Sequence, residues 1–313
     1  MASSQTATRT AWQIEARRVA HNIRSRVLAL TLLQGGSYLS QACSSADILA
    51  TLYTHVLKLG PSLGPLTPPR FVGVPGSPGY TSGGLYHGPH APEYDRFFIS
   101  PTHYSVAVYA ALVELGRLAP EALAEFNTDG SIVEMIGGEH SPGLELTTGS
   151  FGQALSQAAG IAMARQRRGD TGRVFVFVSD GELQEGQMWE AFQQAAFYRQ
   201  DNLAVFVDAN GQQVDGRTEH VMAVEPLDAK LGAFGWQTCK VDGHDPAALA
   251  ACVDAWEPGR PLAVLAYTKP TQGIDLLQER WPMLHYVRFK DAAERARYEA
   301  YLHEQLPLLP REG

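Results

Sequence analysis

Residues 174–190 read VFVFVSDGELQEGQMWE, and residues 203–216 read LAVFVDANGQQVDG. Each begins with an unbroken run of apolar residues rich in β-branched and aromatic types, the pattern of a parallel strand buried on both faces. Residues 188–198, between the two runs, read as a helix. A strand–helix–strand unit requires a parallel sheet. The theme continues downstream, with a helix ending at Phe234, a strand over 238–241, a helix over 245–256 and a strand over 262–267. The expected fold class is α/β, a doubly wound, mainly parallel sheet with helices on both faces.

Upstream, residues 10–34 place Ile14, Val19, Ile23, Val27 and Leu30 at helical spacing, and Gly35-Gly36 ends the helix. A second helix is expected over 45–57, capped by Ser44 or Ser45, a third over 103–116 and a fourth over 151–167. Residues 61–92 differ, because roughly half are Gly or Pro and so work against regular elements. A loop of that size is functional or disordered more often than a plain connection. The last 25 residues are charged and expected to be helical, giving a single domain over 1–313 with loop 61–92 and a helical tail over 288–313.

Composition narrows the function class. With 45% hydrophobic residues the 313-residue chain is globular rather than disordered. A net charge of -8 argues against general nucleic-acid binding. No apolar run is long enough for a transmembrane helix, and the first residues lack the apolar core of a secretory signal. The three cysteines, Cys43, Cys239 and Cys252, form no CxxC pair. They read as small apolar fillers without a disulfide, in a reducing cytoplasm.

Polar groups stand at two strand ends. Asp180 follows the first run and Asn210 the second, 30 positions later. Ligands of open parallel sheets bind beyond the carboxyl ends of the strands, and this spacing puts both loops on one rim. A carboxylate and an amide oxygen there suit a hard cation such as Mg²⁺, which also takes phosphate oxygens. Gly181 allows close backbone approach to a phosphate. Either dipeptide alone, Asp180-Gly181 or Asn210-Gly211, is an ordinary turn signal; the pairing carries the argument.

Together SDGELQEGQMWE and DANGQQVDG resemble the thiamine diphosphate motif of transketolases. The resemblance extends in order to ADIL at 46–49, DRFFIS at 95–100 with His103, LELTTGSFGQALSQAAGIAMA at 144–164 and VDGHD at 241–245. It covers the pyrophosphate-binding half of a transketolase; the pyrimidine-binding half has no counterpart in this chain. The resemblance implies Asp180, Asn210 and the backbone carbonyl of Gln212 as metal ligands, for Mg²⁺ or alternatively Ca²⁺. It implies cofactor contacts from Gly149, Ser150, Phe151, Gly181, Glu182, His103 and His285, with Phe151 near the thiazolium. Glu185 would lie at a subunit interface, in the acidic cluster linking paired cofactor sites. His103 would serve the diphosphate and the reacting centre, since a neutral imidazole suits proton transfer near working pH.

The chain also departs from the family. Ser179 replaces a glycine. Tyr38 stands where the family has a histidine that meets the donor sugar, and a phenol of pKa about 10 offers different proton chemistry. The stretch GGEHSPG at 137–143 makes His140 a candidate substitute. His87 and His90 read as solvated loop residues, although loop 61–92 is long enough to fold over the site; His220 and His244 read as surface residues. The resemblance implies that the chain alone is inactive and needs a separate pyrimidine-binding subunit, encoded beside it, in an α₂β₂ assembly. The expected reaction is transfer of a two-carbon ketol unit from a sugar phosphate or related ketose donor, in a specialised pathway. Two alternatives stand beside it: 2-oxoacid dehydrogenase-like delivery of a two-carbon acyl or glycolyl unit to a lipoyl or carrier thiol, and a non-catalytic scaffold subunit.

Overall fold

The computed structural model describes residues 10–311. The sequence readings for residues 1–9 and for the last two residues of the tail lie outside the described residues. Five parallel strands form the central sheet: β1 (Arg96–Ile99), β2 (Val174–Ser179), β3 (Leu203–Ala209), β4 (Gln237–Asp242) and β5 (Leu262–Tyr267), in the order β1-β2-β3-β5-β4. The register sets Ser179 opposite Asp208, so the two polar strand ends are neighbours.

Crossover handedness explains why both faces are covered. The steps β1→β2, β2→β3 and β3→β4 move one way across the sheet, and a right-handed crossover puts their helices on one face. These are α4 (Gln153–Arg168), α5 (Gly186–Phe197) and α6 (Leu227–Phe234). The return step β4→β5 puts α7 (Pro246–Asp254) on the other face, beside α1 (Ala11–Gln34), α2 (Leu39–Thr51) and α3 (Ser105–Glu114). Strand side chains alternate between two cores. Val174, Val176 and Val178 point to the α4–α5–α6 side, and Phe175 and Phe177 to the α1–α2–α3 side. The chain leaves β1 towards α3 and β2 towards α5, on opposite faces, which opens a crevice above these two strand ends.

Several expectations need correction. Helix α2 starts at Leu39 rather than Ser45, and Ser44 and Ser45 are buried inside it, their hydroxyls bonded to the Gln41 carbonyl. The strand β1 falls in DRFFIS, which periodicity alone did not mark. Cys239 and Cys252 are not fillers: they form a disulfide tying β4 to α7, and only Cys43 is a free buried thiol among the described residues. Loop 61–92 is exposed over most of residues 61–79, but its return is packed into the fold, with Gly83, Gly84 and Tyr86–Gly88 buried. His87 is buried, with Nε2 bonded to Tyr53 Oη and Nδ1 to Glu145 Oε1, each at 2.8 Å. His90 is exposed, as expected. His244 is largely buried, 2.9 Å from Asp47 Oδ2 and accepting from Lys269 N at 2.8 Å. The tail is helical over α8 (Ala292–Glu304) and then runs extended along α1, where Leu309 and Asn22 exchange two hydrogen bonds. No helix of the described residues is long and apolar enough to cross a membrane.

Candidate active site

Asp180 follows β2 and caps the short turn Gly181–Gln184. Its Oδ1 accepts from Gly181 N and its Oδ2 from Gly211 N, both at 2.8 Å, with Thr218 Oγ1 at 3.3 Å. Asp208, at the end of β3, is fully buried and accepts from Ser44, Tyr104, Asn210 and Thr268. All these partners are neutral. Burial and the nearby Asp208 carboxyl therefore raise Asp180 to about 7, and burial raises Asp208 as well. Two buried carboxyls without a cationic partner make a site that favours a cation. Asn210 lies beside them, its Nδ2 donating to Tyr104 Oη and its Oδ1 accepting from Gln212 N at 2.9 Å. The carboxyl of Asp180, the amide oxygen of Asn210 and the carbonyl of Gln212 are hard oxygen donors of the kind a divalent metal takes, and Asp180 is tied to the Asn210–Gly211 turn by Gly211 N. Gln212 itself is held by its side-chain amide, which donates to Val214 O and Pro282 O.

The end of the crevice above β1 is aromatic. His103 follows β1 in the turn Thr102–Tyr104, and its ring lies 5.4 Å from Tyr38, 5.5 Å from Phe151 and 5.4 Å from His285, centroid to centroid. A two-residue antiparallel clip between Gly36–Ser37 and Val287–Arg288 brings Tyr38 to His285, although they are far apart in sequence. Burial depresses His103 to about 3, with His285 adding to the effect, so His103 is neutral at physiological pH. Burial likewise lowers His285 and raises Tyr38.

A cleft of about 140 Å³ joins the two ends, bordered by His103, Phe151, Gly181, Glu182, Asn210 and His285 among others. Phe151 is 38% exposed at its mouth. Gly152 has φ of +82°, and a Cβ there would come within 2.9 Å of Glu185 Cβ, so the turn carrying Phe151 requires glycine. Gly152 N donates to Glu182 Oε1 at 2.7 Å, while Glu182 Oε2 is buried without a partner. Burial raises the Glu182 carboxyl. Glu185 is exposed on the cleft rim. Gly149 and Ser150 precede Phe151 in the same loop.

His140 does not line this cleft. Its Nε2 sits 2.9 Å from Glu134 Oε2 and its ring packs on Phe71, while the neighbour of Gly149 is Ile136. Sequence reasoning missed Ser44, Tyr104, Thr218 and Gln41. Ser44 and Tyr104 hold Asp208, Thr218 holds Asp180, and Gln41 lies 3.3 Å from His285 Nδ1. The one sequence signal for this second layer was Asp208 itself, at the start of DANG.

Residues 83–271 match the family described as transketolase, thiamine diphosphate binding domain. The chain belongs to the transketolase family. It is 35% identical over 268 residues to a transketolase family protein of Sinorhizobium fredii, covering 83% of this chain and 86% of the relative. It is 31% identical over 264 residues to the 6-deoxy-6-sulfo-D-fructose transketolase subunit of a Clostridium species, covering 83% and 87%. Human transketolase is 28% identical over 264 residues, and there the match spans 83% of this chain but 38% of the relative. Among solved structures, the transketolase of Campylobacter jejuni superposes with a TM-score of 0.71 at 20% identity, over 95% of this chain and 47% of that one. The transketolase of Leishmania mexicana gives 0.67 at 23% identity, over 92% and 44%. The parallel sheet with helices on both faces is thus a transketolase fold. The cleft above β1, β2 and β3 belongs to a thiamine diphosphate-binding transketolase domain.

Proposed function

We propose that this chain is the diphosphate-binding subunit of a split, thiamine diphosphate- and Mg²⁺-dependent transketolase that moves a two-carbon ketol unit between sugar-type substrates. The observation that carries the reading is the buried Asp180 carboxyl without a cationic partner, which together with Asn210 borders a cavity of about 460 Å³ next to the cleft lined by His103 and Phe151. In this reading Asp180, Asn210 and the Gln212 carbonyl hold the metal, with Gly181 beside the diphosphate. Bound there, the cofactor supplies the electron sink for breaking the carbon–carbon bond next to a carbonyl.

The chain's own residues orient and protect. His103, neutral and desolvated, presents an imidazole nitrogen to the substrate's hydroxyls as a hydrogen-bond partner. Tyr38 and His285 wall that position, and Phe151, 5.5 Å from His103, would pack beside the cofactor. Glu182 braces the Phe151 turn through Gly152. Glu185, on the rim, faces the interface where paired sites would meet. His140 supports the loop through Glu134 rather than joining the reaction.

A separate pyrimidine-binding subunit completes the site, in an α₂β₂ assembly, with a sugar phosphate or related ketose as donor. Two features support a second subunit. The chain covers most of the length of relatives described as subunits, but 38% of human transketolase. At the cleft, Phe151 and Val214 are exposed apolar side chains that a covering protein would bury. Co-expression of this chain with the adjacent pyrimidine-binding subunit, size-exclusion separation and a ketol-transfer assay on each peak test the proposal. Activity is expected in the mixed peak; an active homodimer of this chain overturns it.

A further inference from the structure

We propose that segment 61–92 is a docking arm for the subunit that completes the cofactor site; the inference rests on the split-enzyme reading above. Among its 32 residues Arg70 is the one formally charged side chain, in a chain that is 19% charged overall. Its tip nevertheless displays apolar groups to solvent, with Phe71 46%, Val72 49% and Val74 70% exposed. Depletion of charge combined with exposed apolar side chains is the composition of an interface centre.

The arm is held in place rather than loose. Phe71 N donates to Gly130 O at 2.8 Å, and Arg70 donates to Asp129 O. Gly83 N donates to Glu139 O at 2.7 Å, and Gly83 O accepts from Gly143 N at 3.0 Å. A Cβ at Gly83 would collide with Ser141 O, so this close seam requires glycine. Buried His87, gripped by Tyr53 and Glu145, fixes the return of the arm. A surface fixed in advance loses little entropy on binding.

The occupant follows from where the arm is fastened. Residues 128–149 carry the arm's anchors and run directly into the Phe151 turn. On that segment Ile136 is 49% exposed and borders Gly149. A protein seated over Phe151 to close the cleft meets Ile136 and then the arm on one continuous side. In full-length relatives more than half of the chain lies outside the matched region, and this is the material a separate partner must supply.

The test is calorimetric titration of the adjacent pyrimidine-binding subunit into this chain, wild type and Val72→Asp/Val74→Asp, with Phe197→Ser, exposed at the end of α5 on the other face of the sheet, as control. Both valines are at least half exposed or nearly so, so the melting temperature of the isolated variant should match wild type. The expected result is partner binding weakened at least about 10-fold by the double substitution and unchanged in the control. Unchanged affinity in the double variant overturns the arm and leaves the split enzyme standing. Absence of binding by wild type overturns both. A wild-type dimer of this chain alone that the double substitution dissociates assigns the arm to a second copy and also overturns the proposal.

Discussion

Asp180 concentrates the chemistry of the site in one group. Its carboxyl is raised to about 7, above the ordinary 3.8, by burial and by Asp208. Between about pH 4 and 7 the folded, cation-free chain therefore keeps a proton that the unfolded chain has released. That stabilising difference is present at low pH and is lost as pH rises through 7. Asp180→Asn should flatten this dependence and make the cation-free chain more stable at pH 8 than wild type, read by thermal melts across pH 6–8. The same variant should lose Mg²⁺-dependent cofactor binding, because a neutral amide cannot replace the carboxylate. An unchanged pH profile would mean that Asp180 is ionised and paired in some other way. His103 is the opposite case, held neutral by burial. His103→Ala in the assembled enzyme should lower kcat by about 10²–10³-fold while leaving cofactor affinity within a few-fold. Loss of affinity in place of kcat would make it a binding residue only.

The elements around the site depend on a few buried polar ties. Glu145 joins three of them, since its carboxylate meets His87 from loop 61–92, Arg96 at the head of β1 and Phe97 N. These ties offset the burial cost and hold the Glu145 carboxyl below its usual range. Glu145→Gln should destabilise the chain by about 3 kcal/mol, as expected when a buried ion pair loses one partner. Urea denaturation measures this, and a cost below about 1 kcal/mol would show that the loop is held by its backbone bonds alone. Such ties also mark the limit of what the sequence reveals. The strands at 174 and 203 were legible because continuous apolar runs with β-branched and aromatic residues have few other uses. Asp180 and Asn210 were legible because both terminate such runs. Helix α2 was mis-started because Ser44 and Ser45 look like caps, whereas Ser44 reaches Asp208 across the fold and Ser45 returns its hydroxyl to the Gln41 carbonyl one turn earlier in the helix. Glycine and proline content correctly marked loop 61–92 as irregular, but composition does not record the partners that bury His87. The Cys239–Cys252 bond depends on β4 and α7 packing side by side, which spacing along the chain does not encode. The Tyr38–His285 pairing arises from a clip of two residues per strand, too short to leave a periodic signal.

At the scale of the molecule, the sheet has two complete cores and one incomplete surface. Both faces of the sheet are filled by helices, so folding of this chain needs no further layer. The region above the strand ends is different, since the carboxyls of Asp180 and Asp208 are buried there while Phe151 and Val214 on the cleft remain open to solvent. A stable domain with an unfinished site is what a separate subunit would be expected to present. The most direct test is titration of thiamine diphosphate with Mg²⁺ into this chain, alone and with the adjacent pyrimidine-binding subunit, with Asp180→Ala in parallel. The account predicts tight binding only when both subunits are present, abolished by Asp180→Ala. Absence of binding to the two subunits together, or tight binding that survives Asp180→Ala, would contradict it.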